Sequence, residues 1–202
     1  MKKEKDFFVS KAKTYEKEKN RVNNVSNIAE KILSEITYKR HMHLMDFGAG
    51  TGLLLSHIAP YVKEITAVDL SDSMIEQLKE KIDDIPCDVK VVKKDLSKES
   101  LNEKFDGIIS SMTIHHIQDL ENIFKRFYGL LKDNASIALA DLDLEDGTFH
   151  KEDTGVFHFG FDRDKFKYLA EIAGFKNIKI QTVGNVIKPY GEYSIFLLTA
   201  NK

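Results

Sequence analysis

The chain has 202 residues, a formal net charge of −2 at pH 7, and a composition of 42% hydrophobic and 31% charged residues. This balance favours one soluble domain with a sizeable core, excludes a disordered chain, and gives no general electrostatic reason to expect nucleic acid or an anionic membrane as a partner. One cysteine, Cys87, excludes an intrachain disulfide and a thiolate zinc cluster. Because no apolar run is long enough for a signal peptide or a membrane span, we expect a cytoplasmic protein.

Residues 7–36 are predicted to form two helical segments ahead of the first strand. The apolar residues of the second segment recur at helical spacing, which predicts a face that packs on the sheet: Val22, Val25, Ala29, Ile32 and Ile36. The first segment is more polar. It is either a solvated helix or a cover in which Tyr15 and Arg21 fold over a ligand crevice. We therefore interpret residues 1–36 as a helical cap on a single domain of residues 1–202.

The first predicted strand ends in a glycine turn. Its apolar run leads into Asp46, and Gly48, Gly50 and Gly52 then alternate with small residues before a helix that is expected to end at Pro60. Glycine suits such a turn because the backbone must bend sharply and approach a ligand with no Cβ atom in the way. The free N–H groups at the start of the helix then face that ligand. The dinucleotide-binding fingerprint would instead need its third glycine at position 53.

The second predicted strand, 64–69, ends in an acidic residue, Asp69. Two adjacent hydroxyl donors are best met by one carboxylate with two acceptor oxygens. Asp69 also stands close to the roughly 20-residue offset expected of the acid that binds ribose in a βαβ unit. The next helix is predicted to start with a capping-box pattern over Ser73 to Glu76 and to run to Asp83.

Two more strands, 88–93 and 105–112, are predicted next. The third strand leads to Asp95, which is either a ligand-binding acid or a cap for the piece that begins near Ser97. The fourth strand is followed by the paired residues His115 and His116. Histidine titrates near neutral pH, so either one is a candidate general base, with bracing of the loop by hydrogen bonds as the alternative.

The remainder of the chain supplies two helices and three strands. Because no helix separates the last two strands, they should pair antiparallel, across a connection that begins at Gly184 and contains Pro189. The predicted elements are a helix with its N-cap at Asp119, a strand over 136–141, a helix between Asp162 and Gly174, and strands over 177–183 and 193–199.

The segment 142–160 is too long for an ordinary turn, and long loops are usually functional or loose. Its acids and histidines admit the interpretation of a metal site, but Gly147 is seventh from Asp141, whereas an EF-hand needs its glycine at the sixth position. We therefore expect no metal. Aromatic and polar groups are typical of small-molecule pockets. The residues expected to line such a pocket, with simple loop packing as the alternative, are His150, Phe157, His158 and Phe159.

Three features together resemble class I S-adenosylmethionine-dependent methyltransferases. They are an acid followed by G-x-G-x-G, acids at the ends of the next two strands, and the histidine-containing segment after strand four. Within that class, the chain resembles the broad group that includes ubiquinone and menaquinone C-methylation enzymes. The resemblance covers nearly the whole chain from residue 40 onward. It implies an α/β, Rossmann-like fold, namely a doubly wound, mostly parallel seven-stranded sheet with an antiparallel C-terminal hairpin. It also implies the cofactor S-adenosyl-L-methionine and the product S-adenosyl-L-homocysteine.

The resemblance also assigns the cofactor crevice. In an open α/β sheet, ligands lie outside the carboxyl ends of the strands. Asp46 is expected to orient the methionine end, Asp69 to bind the ribose, and Asp95 to meet the adenine amino group. The full set expected to bind the cofactor is Tyr15, Asp46, Gly48, Ala49, Gly50, Gly52, Asp69, Leu70, Met74, Asp95, Leu96, Ser110 and Ser111.

The expected reaction is transfer of a methyl group to a small molecule by in-line displacement, with His115 or His116 taking a proton where one must leave. The sequence leaves open a protein or RNA methyltransferase and a non-catalytic cofactor-binding module. Nucleic acid is not expected, because there is no basic patch and because Ser110 to Thr113 stand where amino-methylating enzymes carry an Asn/Asp-Pro-Pro-aromatic tetrapeptide. We expect a monomer or a homodimer.

Overall fold

Seven strands of the described residues form one sheet. The computed structural model describes residues 6–150 and 154–202. Its strands are β1 (His43–Phe47), β2 (Glu64–Asp69), β3 (Asp88–Lys93), β4 (Phe105–Ser111), β5 (Leu131–Leu142), β6 (Lys176–Lys188) and β7 (Gly191–Asn201). They are ordered β3-β2-β1-β4-β5-β7-β6. The first five pair in parallel, and β7 runs antiparallel to both β5 and β6. The predicted fold class is confirmed.

Helices cover both faces of this sheet. In the described part of the chain they are α1 (Lys19–Glu35), α2 (Leu53–Ile58), α3 (Asp72–Glu80), α4 (Leu120–Leu130) and α5 (Arg163–Ala173). Adjacent strand residues point to opposite faces, so Leu44 joins the apolar core that includes Ile32 and Leu55, whereas Met45 joins the core that includes Phe127 and Phe166. None of the helices in residues 6–150 and 154–202 is both long and apolar enough to cross a bilayer.

The N-terminal residues form a short 3-10 helix, Ala12–Lys17, followed by α1. The buried face of α1 consists of Val25, Ile28, Ala29 and Ile32, so the predicted packing face is confirmed at its centre. Residues 1–5 of the predicted cap and residues 151–153 of the predicted long loop lie outside the described residues.

Two predicted helix boundaries are wrong. The N-cap of α3 is Ser71 rather than Ser73, because the Ser71 hydroxyl accepts from the Met74 N–H at 3.1 Å. The α-helical part also ends at Glu80, and a separate 3-10 turn follows over Ile82–Asp84 instead of a continuous helix to Asp83. The predicted end of α2 agrees with the structure, since the α-helix ends at Ile58 with its C-cap at Ala59, and Pro60 follows in the short 3-10 helix Ala59–Tyr61.

The predicted connection from Gly184 is also wrong. Strand β6 continues to Lys188, and the connection shrinks to Pro189 and Tyr190, because Lys188 already pairs with Gly191. The register shifts between Thr182 and Gly184, so this glycine marks an irregularity within the strand and not its end. The longer hairpin extends past Leu142, the last residue of β5, and Lys188 donates to the Phe149 carbonyl.

Candidate active site

The glycine turn after β1 has one open side. Gly48, Gly50 and Gly52 all have positive φ angles, of 69°, 55° and 80°. A Cβ atom would lie 2.1 Å from the side chain of Thr113 at Gly48 and 2.5 Å from that of Leu78 at Gly52, whereas at Gly50 it would meet no described residue within 4 Å. The outer glycines are therefore required for packing, and the middle one borders the open space of the crevice.

Asp69, at the end of β2, is fixed beneath this turn. Its Oδ2 accepts from the Gly50 N–H at 2.7 Å, and its Oδ1 accepts from the Ser71 N–H at 2.8 Å. Burial raises the pKa of Asp69, while these backbone donors act in the opposite direction. Each carboxylate oxygen has a second lone pair, so the group keeps acceptor capacity for a ligand.

Asp46, at the end of β1, has an unpaired oxygen. The residue is 1% exposed, and its Oδ2 has no hydrogen-bond partner among the described residues. Burial, followed by the charge of Asp69, raises the pKa of Asp46 to about 8, partly offset by the Leu55 N–H. An unsatisfied buried polar group costs about 1–3 kcal/mol. A ligand that offers a donor at this end of the crevice would remove that cost.

The other predicted cofactor residues occupy varied surroundings. Asp95 holds its own turn, since it accepts from the Ser97 N–H at 2.9 Å and from Lys98 at 2.8 Å. The hydroxyl of Ser110 donates to the Phe47 carbonyl at 2.7 Å and so ties β4 to β1. Ala49, Met74 and Leu96 are buried, Leu70 is exposed, and the buried hydroxyl of Ser111 lacks a partner within the described ranges. Their roles toward a cofactor stay predictions.

The N-terminal segment contacts the crevice directly. Glu16 accepts from the Thr51 hydroxyl at 2.6 Å and pairs with Lys81 at 2.5 Å. Arg21 lies 4.0 Å above the ring of Tyr15 and donates to its carbonyl at 2.6 Å. Burial raises the pKa of Tyr15, and the charge of Asp69 acts in the same direction.

A second attachment lies nearer the start of the segment. Asp6 accepts from the hydroxyls of Ser71 and Ser73, each at 2.9 Å, and from the Ser73 N–H at 3.0 Å. The segment is thus bound to the first turn of α3 as well as to the glycine turn. The role of these residues as a cap stays a prediction.

Three histidines meet on the other side of the crevice. His115 is 1% exposed, and its Nδ1 lies 2.6 Å from Oδ1 of Asp141, at the end of β5. The ring of His115 lies 4.3 Å from that of His116 and 5.2 Å from that of His150. The sequence marked His115 and His116 as candidates but missed Asp141 as the partner.

The outer two histidines are held in the neutral form. His116 Nδ1 lies 3.2 Å from the Gly155 carbonyl, so this nitrogen carries the proton. Burial lowers the pKa of His116 to about 4 and that of His150 to about 3, and in both cases the charge of His115 acts in the same direction. His150 Nε2 is buried without a partner among the described residues.

These shifts predict a pH-dependent stability. Between the ordinary histidine pKa of 6.5 and the lowered values of about 4 and about 3, the unfolded chain binds protons that the folded chain does not. The two histidines therefore leave the free energy of unfolding unchanged above about pH 6.5 and lower it as the pH falls below that value. The free energy of unfolding is measured with urea at about pH 7 and about pH 5. Its decrease between the two should be smaller in a His116→Gln, His150→Gln double variant than in the unmodified chain. The exposed-site variant His41→Gln should behave like the unmodified chain, and an equal loss in the double variant would contradict the assignment.

The segment after β5 is attached to these histidines through its backbone. The N–H groups of Phe157 and His158 lie 2.9 and 3.2 Å from the His115 carbonyl, and His158 Nε2 donates to the Ile117 carbonyl at 2.9 Å. Phe157 and Phe159 are 57% and 53% exposed. The structure thus gives His158 a bracing contact, and the predicted substrate roles of the segment stay predictions.

The acids of this segment have separate protein partners. Asp143 forms a two-point pair with Arg163, at 2.6 Å for each bond. Glu145 accepts from the Gly147 N–H at 2.8 Å, and Asp146 accepts from the Thr148 hydroxyl at 2.5 Å. Within residues 6–150 and 154–202, no three acids, histidines or cysteines are arranged to hold a metal ion.

Comparison with known proteins identifies the family of this chain. A family model described as a methyltransferase domain matches residues 22–180. The chain belongs to this methyltransferase family. A curated relative, an uncharacterized methyltransferase of Schizosaccharomyces pombe, is 36% identical over 121 residues, which cover 55% of this chain and 43% of that protein. The chain spans about half the length of the first curated relatives it matches, at 43% and 55%.

Solved structures of methyltransferases share the fold. A Haloferax volcanii protein in complex with the Trm112 methyltransferase activator matches with a TM-score of 0.77 at 13% identity, over 100% of this chain and 98% of that one. Haemonchus contortus phosphoethanolamine N-methyltransferase 2, in complex with phosphomonomethylethanolamine and S-adenosylhomocysteine, matches with a TM-score of 0.72 at 16% identity, over 98% and 59%. The predicted membership among methyltransferases is confirmed, and quinone-type acceptors stay a prediction.

Proposed function

We propose that the chain transfers a methyl group from S-adenosyl-L-methionine to a small-molecule acceptor by in-line displacement. The main support is the arrangement around Asp69, which accepts from the N–H of the open-sided Gly50 and acts electrostatically on Asp46, whose Oδ2 lacks a partner among the described residues. A turn with no side chain at its open side suits close approach of the protein backbone to a ligand. The presence of S-adenosylhomocysteine in the Haemonchus structure supports the same cofactor here.

The residues present fit this cofactor. Asp46 offers a buried oxygen acceptor for the amino-acid end, and Asp69 offers two acceptor oxygens for adjacent ribose hydroxyls. Asp95 and Leu96 follow β3 at the same edge of the sheet, where the family places adenine. When bound, the cofactor supplies a methyl group that its sulfonium has already activated. The protein has then to align the acceptor, exclude water and take a proton where one must leave.

The pairing of His115 with Asp141 suits proton removal. Because the carboxylate accepts the proton on Nδ1, the imidazole keeps its lone pair on Nε2, which is the form that acts as a base. Asp141 is a positioning residue in this arrangement, since it acts through His115. The neutral ring of His116 packs beside the pair.

A small acceptor fits the enclosure of the site better than a macromolecule. The histidine rings are flanked by Phe8, which meets His116 edge-on at 5.8 Å, and by Phe149, which lies 4.7 Å from His150. Aromatic walls with a few polar groups are typical of small-molecule pockets. A folded protein or RNA would first have to displace the N-terminal segment, which Glu16 and Asp6 attach to the crevice.

The cofactor assignment predicts the effect of Asp69→Ala. The variant should bind S-adenosyl-L-methionine more than tenfold more weakly in a calorimetric titration, a loss of about 1.5–3 kcal/mol for hydrogen bonds to a charged group. The matched control is Asp106→Ala, which likewise removes a carboxylate that accepts from a backbone N–H; Asp106 pairs in addition with Lys132 and lies at the other end of the sheet. Unchanged affinity in Asp69→Ala would contradict the assignment.

Turnover separates an enzyme from a binding module. The chain, incubated with S-adenosyl-L-methionine and fractionated metabolite pools, should form S-adenosyl-L-homocysteine with one pool and methylate a compound in it. Tight cofactor binding without turnover across all pools would favour the module. Turnover only with protein or RNA would favour a macromolecular acceptor.

A further inference from the structure

Lys188, near the end of β6, is a half-buried cation with no partner of opposite charge among the described residues. Its ammonium lies 3.5 Å above the centre of the Phe149 ring and donates to the Phe149 carbonyl. The rings of Tyr190 and Tyr193 lie 5.8 and 5.9 Å away. No carboxylate of the described residues approaches Lys188 to within the 4.0 Å of an ion pair. In the part of the chain that the structure describes, the ammonium thus lies among aromatic rings without a counterion.

Charged residues of both signs act on the pKa of Lys188. After burial, the charges of Arg21 and Lys11 are the largest causes that lower the pKa of Lys188, and Glu18 and Glu145 act less strongly in the opposite direction. Glu18 is already paired with Arg21 at 2.9 Å. Glu145 is held by the N–H groups of its own turn.

This cation adjoins the histidines of the candidate active site. Phe149, which lies under Lys188, is 4.7 Å from the ring of His150, and His150 is 5.2 Å from the ring of His115. The charges of Lys188 and Lys11 also act on His150 and help to keep it neutral. The buried Nε2 of His150 has no partner among the described residues, which leaves a polar atom available to a ligand.

We propose that Lys188 binds an oxyanion group, a carboxylate or a phosphate, of the small-molecule acceptor. The inference rests on the proposed function and narrows its substrate class. Charge-assisted hydrogen bonds are the strong ones, and they gain in a site that is partly shielded from water. An anion here would also offset the positive charges that act on His150, so binding of the acceptor would favour proton uptake by the adjoining histidines.

The test uses simple anions as probes of the full chain, saturated with S-adenosyl-L-homocysteine. Malonate and methylphosphonate are titrated calorimetrically, with neutral malonamide as the comparison compound. We expect both anions to bind, malonamide to bind at least tenfold more weakly, and Lys188→Gln to weaken binding of the anions about tenfold. Lys188→Arg, which keeps the charge, should restore most of the affinity.

The matched control is Lys179→Gln, the same substitution in the same strand at a lysine that pairs with Glu35. It should bind the anions like the unmodified chain. Anion binding that is unchanged in Lys188→Gln, absent from the unmodified chain, or equal for malonamide would overturn the inference and leave Lys188 as a packing contact of Phe149. Binding of S-adenosyl-L-homocysteine is measured first, because its absence is the failure of the proposed function itself.

Discussion

Replacing Gly50 with valine should abolish measurable binding of S-adenosyl-L-methionine while the fold persists. The backbone here has φ +55°, the space beside the residue is open, and its N–H donates to Asp69. The valine methyl groups would project into that space and occupy the position of a ligand against the turn. We expect a loss of affinity of at least about hundredfold, or about 2.8 kcal/mol, in a calorimetric titration.

The control for backbone strain is Gly147→Val. Gly147 also has a positive φ, of +86°, and its Cβ would make ordinary contact with Phe159 at 3.4 Å. Both variants therefore carry the left-handed penalty of about 1–2 kcal/mol, but only one of them fills the crevice. Circular dichroism and urea unfolding should place the two close together in stability. A Gly50→Val protein that binds the cofactor as tightly as the unmodified chain would show that this side of the turn does not face it.

Asp141→Asn should slow turnover about hundredfold and leave cofactor affinity unchanged. The carboxylate fixes the proton of His115 on Nδ1 and stabilises the charged imidazole that forms when a proton is taken up. An amide in its place no longer provides that negative charge. A positioned base contributes about 10²–10⁴-fold to rate, so the expected loss lies at the lower end of that range.

The same substitution two residues later is the control. Asp143→Asn weakens the pair with Arg163 but touches none of the histidines, and it should retain the rate. Formation of S-adenosyl-L-homocysteine is measured against pH and acceptor concentration. A positioning role requires that kcat falls at constant acceptor KM and that the basic limb of the pH profile changes. Equal rates for the two variants would assign His115 and Asp141 to structure alone.

Much of the sheet could be predicted, because its strands are short apolar or alternating runs bounded by turn residues. The bounds of β2 and β3 were predicted to the residue. The error at Gly184 has a physical cause, since glycine marks a turn and a strand irregularity equally well in a sequence. Only the pairing of Gly184 with Ile195 of β7 distinguishes the two.

The site was predictable where it depends on strand order and not where it depends on contacts between distant segments. Asp46 and Asp69 follow apolar strands, so their shared edge follows from parallel pairing. Asp141 also ends a strand, and its partnership with His115 could have been inferred had β4 and β5 been placed side by side. Glu16 and Lys188 carry no such signal, because their positions depend on the N-terminal segment and on the full length of the last hairpin.

The most direct test of the account is a calorimetric titration of the purified chain with S-adenosyl-L-methionine, S-adenosyl-L-homocysteine and NADH. We predict saturable binding of the first two at one site per chain, lost in Gly50→Val, and no binding of NADH. Two results would contradict the placement of a methyl donor against the glycine turn. One is tighter binding of NADH than of S-adenosyl-L-methionine, and the other is equal binding of the adenosyl ligands to Gly50→Val and to the unmodified chain.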